Sequence, residues 1–142
     1  MGLTMVKVKI ANFVDIQNAK AGLIREDQIR SVEVEALADI GAISMAIPED
    51  VAEQLGAAVL GARTVTVADG RSLSLPRVGG LLIEVLGRDM ESQAYVLPRG
   101  ATPLLGAVQL EYMDLVVVPS TQEVIPNPAH PDGPVGWLLR AS

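Results

Sequence analysis

The stretch ALADIGAIS, Ala36 to Ser44, sets one carboxylate, Asp39, between two apolar runs and beside a glycine. A buried, unpaired carboxylate costs several kcal/mol, so a core strand carries one only where neighbouring groups compensate it. Upstream, SVEVEALAD alternates Val32, Val34 and Ala36 with Glu33 and Glu35, which predicts a half-buried strand running into Asp39, its two glutamates on a solvated face. Downstream, ISMAI reads as a short apolar strand. PEDVAEQLG is the clearest helix: Pro48 suits its first turn, Glu49 and Asp50 favour its dipole, and Gly56 can close it. Val51, Ala52 and Leu55 give it a narrow apolar face. On its own, Asp39 also reads as a turn aspartate that accepts backbone N–H groups at a strand end.

Further out, Val6, Val8 and Ile10 alternate with Lys7, Lys9 and Ala11, the signature of an N-terminal strand. Asn12 to Arg30 is more polar and without clear period, and reads as a long connection, with or without a short helical piece. RTVTV, the turn former Ala68-Asp69-Gly70 and RSLSLPRV predict a hairpin, and GGLLIEVLG and ESQAYVLP a second one around Gly87-Arg88-Asp89. An apolar step at Leu104 and Leu105 precedes Gly106, a short helix to about Met113 and a strand from Leu115 to Val118. PSTQ then turns the chain back into EVIP. Residues 127–142 form a tail rich in Pro and Gly, yet Trp137-Leu138-Leu139 within it is apolar enough to be expected to dock.

The totals narrow the function. A chain of 142 residues makes one domain with a real core. Aromatics are 3% of it, so the core must come from Val, Leu, Ile, Ala and Met, and a base-stacking surface is not expected. A net charge of −6 without a Lys/Arg cluster also argues against nucleic acid as a partner. The chain has no cysteine, which excludes disulfides and thiolate metal sites and fits a reducing, cytoplasmic setting. With a single histidine, His130, no metal or other cofactor is expected. MGLTMVKVKIAN alternates like a strand, so neither a signal peptide nor a membrane partner is anticipated.

Asp39-Ile40-Gly41-Ala42, with a strand before it and ISMAIPEDVAEQLG after it, resembles the active-site segment of the retropepsin-like aspartic proteases, Asp-Thr/Ser-Gly-Ala/Ser. VTVADGRSLSLPRVGG is similar to that family's flap hairpin, with Ala68, Asp69 and Gly70 at its tip. PLLGAVQLEYMDLVVV is similar to its second signature, in which Leu104, Leu105 and Gly106 would support the loop carrying Asp39. The resemblance spans residues 1–126, apart from a longer segment at 13–30, and implies an all-β, mainly antiparallel closed barrel with one or two short helices.

It also implies chemistry. Two facing carboxyl groups that share one proton can deprotonate an attacking water while protonating a peptide carbonyl. The chain offers one such aspartate, so the resemblance implies a homodimer with one Asp39 from each copy, acting on a peptide or protein substrate. One position departs: Ile40 stands where the family has Thr or Ser, whose hydroxyl braces the two catalytic loops across the dimer axis. A backbone group left unpaired there costs about 1–3 kcal/mol if buried, although two isoleucines could pack on each other instead. Three readings stay open: a working endopeptidase, a catalytically silent module for dimerisation or peptide binding, and a small β-barrel whose likeness to the proteases is accidental.

Overall fold

The computed structural model describes residues 3–136. The expected docking of Trp137-Leu138-Leu139 lies outside the described residues. The alternation near the N-terminus forms β1 (Met5–Asn12), with Val6, Val8 and Ile10 inside and Met5, Lys7 and Lys9 in solvent. There follow α1 (Phe13–Lys20), one 3-10 turn (Glu26–Gln28), β2 (Ser31–Ala38), β3 (Ala46–Pro48), α2 (Glu49–Leu55), β4 (Ala58–Thr66) and β5 (Ser72–Val85). The remainder is β6 (Arg88–Leu97), β7 (Leu104–Leu105), α3 (Ala107–Tyr112), β8 (Leu115–Val118) and β9 (Glu123–Pro126).

β1 pairs antiparallel with both β2 and β5, so the order β1-β2-β7-β3-β6-β5 returns on itself and closes a six-strand barrel. Closure removes the open edges that a flat sheet would present. Two junctions are parallel, β2–β7 and β3–β6; the others are antiparallel. β4 hangs from β5 outside the barrel, and β8 with β9 makes a separate two-stranded sheet. The barrel is filled by aliphatic and Met side chains: Ile10, Met45, Ile47, Leu55, Leu81, Ile83, Leu105 and Met113 are all fully buried. No described helix is long and apolar enough to cross a membrane. The all-β barrel is as expected, with three short α-helices rather than one or two.

The additional helix is α1. Asn12 caps it, its side chain accepting the Asp15 N–H at 3.0 Å, while its Nδ2 donates to Leu55 O at 2.8 Å and so closes α2 as well. One buried side chain therefore serves two helix ends that would otherwise leave backbone groups unmet. Arg30 then ties α1 to the rest. Its backbone N–H, Nε and Nη2 donate to the Asp15 carboxylate at 3.0, 2.8 and 3.1 Å, and its guanidinium lies over Gly56. Gly56 has φ +59°, which favours glycine, and a Cβ there would come 1.9 Å from Arg30 Nη1, so the guanidinium would have to move aside for any side chain.

The Arg30 side chain and backbone N–H hold the Asp15 carboxyl below the usual carboxylate range, against the opposing effect of burial. A depressed folded-state pKa gives stability that is complete above the unfolded pKa and lost as pH falls through the folded value. Asp15→Asn is accordingly expected to melt below wild type at pH 7, with the gap in Tm closing as pH is lowered under about 4. A gap constant from pH 7 to pH 2.5 would exclude the ionised pair as its source.

Elsewhere the boundaries shift for local reasons. ISMAI is a turn followed by a strand starting only at Ala46, because the chain folds back after Asp39 and leaves Ile43 in solvent. The two strands expected on either side of Gly79 are one 14-residue strand, β5, with Gly79 and Gly80 as a bulge between Val78↔Ala94 and Leu81↔Ser92. The β5–β6 turn is the two residues Leu86 and Gly87, with φ of +52° and +80°, rather than Gly87-Arg88-Asp89. Two positive φ values match the twist of a tight hairpin. Arg88 thereby moves into β6 and inward.

Candidate active site

Asp39 sits where β2 leaves the barrel. β7 grips that exit from one side: Leu37 N–H donates to Pro103 O at 2.8 Å, and Asp39 N–H donates to Leu105 O at 3.0 Å. β7 lies between β2 and β3 in the sheet, so the loop from Asp39 to Met45 must arch over it to join them. The arch is a tight turn. Asp39 O accepts the Ala42 N–H at 3.1 Å, and Asp39 Oδ1 accepts the Gly41 N–H at 2.8 Å. A Cβ on Gly41 would lie 3.1 Å from Asp39 Oδ1, closer than a side chain comfortably allows. Among the described residues no other donor reaches the Asp39 carboxylate, whose residue is half-buried at the protein surface.

The far side of the loop rests on α3. The first N–H groups of that helix have no partner within it, and two donate to the loop: Ala107 N–H to Ala42 O at 2.7 Å and Val108 N–H to Ile43 O at 3.0 Å. Gly106, buried just before the helix, is the contact point. A Cβ there would lie 2.6 Å from Ser44 O and under 3 Å from two further Ser44 backbone atoms. Leu104, Leu105 and Gly106 thus support the Asp39 loop through backbone contacts. Ile40 and Ile43 project outward from it, 72% and 77% exposed, and give the loop an apolar rim.

Ala68, Asp69 and Gly70 are exposed at the tip of the β4–β5 hairpin. Gly70, at φ +86°, donates to Val67 O, and Val67 N–H donates to Arg71 O, both at 2.9 Å. The Asp69 carboxylate is used within the turn, accepting the Arg71 N–H at 3.0 Å and Arg71 Nε at 2.6 Å. The structure therefore gathers Asp39, Gly41, Ala42 and residues 104–106 through hydrogen bonds and close backbone contact, with Ile40 carried on the same loop. Among the described residues no hydrogen bond joins the hairpin tip to that group.

A second polar cluster went unread in the sequence. Arg88, 6% exposed, donates to the carbonyls of Met113, Asp114 and His130. Asp114, held at φ +57°, accepts from Asn127 Nδ2 at 2.9 Å, Val135 N–H at 3.1 Å and His130 Nδ1 at 2.6 Å. The Asn127 hydrogen bond first, then those from Val135 and His130, hold the Asp114 carboxyl below its ordinary range against the effect of burial. These contacts fasten the tail from Asn127 to Val135 onto the α3–β8 connection. The available signal was Asn127 and His130 amid prolines, but nothing in local spacing pairs them with Asp114, thirteen and sixteen positions earlier. Among the described residues no group of three or more His, Cys, Asp or Glu could hold a metal ion. No protein-family model matches the chain, and no curated protein matches it either.

Proposed function

We propose that the protein is an aspartic endopeptidase, a homodimer in which each copy contributes one Asp39 to a shared site. The observation that supports this most is the bracing of Asp39. A carboxylate at the mouth of a closed barrel is fixed by its own loop, by β7 and by the start of α3, and still faces outward with one oxygen free of donors among the described residues. Groups held this firmly can be preorganised for proton transfer. In the dimer, one carboxylate removes a proton from a bound water as its oxygen attacks the peptide carbonyl. The other carboxyl gives its proton to the carbonyl oxygen, and the tetrahedral intermediate collapses with protonation of the leaving amine. No cofactor enters. The substrate is a peptide in extended form, which can add to a free strand edge. β4 is last in the sheet order and offers such an edge. With Ala68, Asp69 and Gly70 at its end, the β4–β5 hairpin serves as the flap.

Ile40 supports a second reading, a silent dimer or peptide-binding module that keeps the fold. Its side chain is exposed and has no hydroxyl with which to brace the partner loop. The two readings separate on incubation with a mixed peptide library between pH 4 and 7. Specific cleavage that rises with protein concentration, in step with dimer formation by sedimentation, is the expected result. A stable dimer that cuts nothing favours the silent module. Ile40→Thr is expected to raise the cleavage rate by about tenfold, since a catalytic loop misplaced by about 1 Å can lose a hundredfold. An unchanged rate in that variant shows that the hydroxyl is dispensable here.

A further inference from the structure

The β4–β5 hairpin differs in charge from everything it is attached to. Residues 58–79 carry three bases, Arg63, Arg71 and Arg77, against one acid, Asp69, whereas the rest of the chain carries eight bases against sixteen acids. Asp69 is spent at the tip, its Oδ2 lying 2.6 Å from Arg71 Nε. The other two arginines have no carboxylate partner among the described residues. Arg63 is exposed, and no hydrogen bond or ion pair engages its side chain there. Arg77 donates to neutral atoms alone, Gln93 Oε1 at 2.7 Å and Leu60 O at 3.5 Å, which leaves further N–H groups of its guanidinium to spare.

The register brings these two together. Residues paired across an antiparallel ladder share a face, and Gly61↔Arg77, Arg63↔Leu75 and Val65↔Leu73 are such pairs, each two residues from the next. Arg63, Val65, Leu73, Leu75 and Arg77 therefore stand on one face of the hairpin, and small, mostly polar residues such as Thr64 and Ser74 on the other. Arg63 and Arg77 are diagonal neighbours, roughly 7–8 Å apart in such a ladder, a gap that long side chains bridge. Val65, Leu73 and Leu75 are half-buried, whereas the alternating residues of the opposite face are exposed. No element except β5 makes more than slight contact with β4. Gln93, the partner of Arg77, also lines an open groove whose wall includes Ser44 and Val108. Ser44 follows Asp39 by five residues, and Val108 N–H donates to Ile43 O, so the basic end of the face is joined through Gln93 to the surroundings of the Asp39 loop. The aliphatic part runs out toward the tip.

We propose that this face binds an extended acidic peptide, with a Glu or Asp carboxylate between the guanidinium groups of Arg63 and Arg77. Alternate side chains of an extended segment point the same way, so an apolar residue two positions from the acid rests on Val65, Leu73 and Leu75. Guanidinium groups meet a carboxylate through paired N–H donors, which a neutral amide cannot match. The excess of acids over the rest of the chain opposes a polyanion such as nucleic acid, whereas a single carboxylate set between two cations meets little of that field. That the bound segment is the peptide cut at Asp39 rests on the endopeptidase reading; the binding itself does not.

The test is an NMR titration of the ¹⁵N-labelled full chain, at low salt, with acetyl-Thr-Val-Thr-Glu-Thr-amide and the same peptide carrying Gln or Lys in place of Glu. The Glu form is expected to shift the backbone amides of Arg63, Val65 and Leu75 and the Nε–H of Arg77. It should bind about fivefold tighter than the Gln form, with the Lys form weakest and the gap narrowing in about 0.5 M salt. Arg63→Gln is expected to lose most of that gap, and Arg63→Glu to reverse it in favour of the Lys form. Arg25→Gln, at an arginine already paired with Asp27, should leave it unchanged. Equal binding of the three peptides overturns the proposal, as do shifts confined to other parts of the chain or no shifts at all. If no peptide discriminates and Arg63→Gln instead weakens self-association in sedimentation, the face meets a second copy and the proposal falls. The wild-type comparison decides the matter whether or not a variant folds. In the peptide library, the expected profile favours an acid at one fixed distance from the cut, a preference lost in Arg63→Gln. Charge-selective binding without any cleavage would keep the face and remove the endopeptidase. Cleavage without charge-selective binding would do the reverse.

Discussion

Asp39→Asn is expected to lower cleavage of a mixed peptide library by about 10³-fold or more, with the dimer and its Tm close to wild type, because general acid–base groups of this kind contribute about 10²–10⁴-fold each. The amide keeps an oxygen for the Gly41 N–H, so the turn that it closes at 2.8 Å can persist. What it cannot do is take a proton from water or share one with its twin. The proposed two-chain origin of the site makes a sharper forecast. When wild-type chains are diluted to a tenth with Asp39→Asn chains and subunits exchange, only about 1% of dimers hold two wild-type copies, so activity per wild-type chain falls roughly tenfold. If each chain worked alone, that activity would not change, and such a result would remove the shared site. A variant as active as wild type would remove Asp39 from the chemistry altogether.

Gly106→Ala is expected to be the most damaging added methyl among the described glycines, since it alone of them would meet backbone atoms at under 3 Å. The added carbon would meet the oxygen, carbonyl carbon and nitrogen of Ser44 at 2.6 to 2.8 Å, and these are backbone atoms with nowhere to rotate. Forcing extra volume into a packed contact costs about 1–3 kcal/mol, and a backbone neighbour puts this case at the upper end. For a domain of this size the loss lowers Tm by roughly 10 °C. The rate suffers beyond the stability, since the displaced segment is the one that follows Asp39 and carries the Ala107 and Val108 hydrogen bonds. Gly133→Ala is the control: a Cβ there meets nothing within 4 Å, and it should melt with wild type. Equal melting of both variants would show that the contact at Ser44 yields easily.

Those two glycines also show what could be read in the sequence. Strands that bury one face announced themselves by alternation, as at Val6-Val8-Ile10 and Val32-Val34-Ala36, because every second residue pays the penalty of facing water or the reward of leaving it. The helix after Pro48 was legible from its ends, with Glu49 and Asp50 at its start and Gly56 at its close. The order Asp39, then a hairpin, then Leu104-Leu105-Gly106 was legible too, as was the barrel that it implied. What escaped depends on partners distant along the chain. α1 has no strong apolar face; it stands because Asn12 and Arg30 satisfy it, and the one local hint was Asn12 three residues before Asp15. Gly79-Gly80 was read as a break because a bulge and a strand end look alike without the opposing strand. Arg88 looked like a turn residue, since a buried guanidinium becomes tolerable only once three carbonyls converge on it. Gln109 carried no signal at all: a polar residue in a short helix becomes notable only once the fold buries it to 3% exposure and leaves its Oε1 without a donor among the described residues.

The outer arm has a last consequence. Every residue of β4 except Val65 is exposed, so this strand is held by its ladder to β5 and hardly at all by side-chain packing. A two-stranded ribbon without a covered face is only marginally stable in water. A molecule that settles beneath the arm must therefore first still it, and part of the contact energy goes into that ordering rather than into affinity. If the β4–β5 hairpin is the proposed flap, tight grip and fast release are set against each other by the nakedness of eight of the nine residues of β4, and such a flap gains from being loosely held.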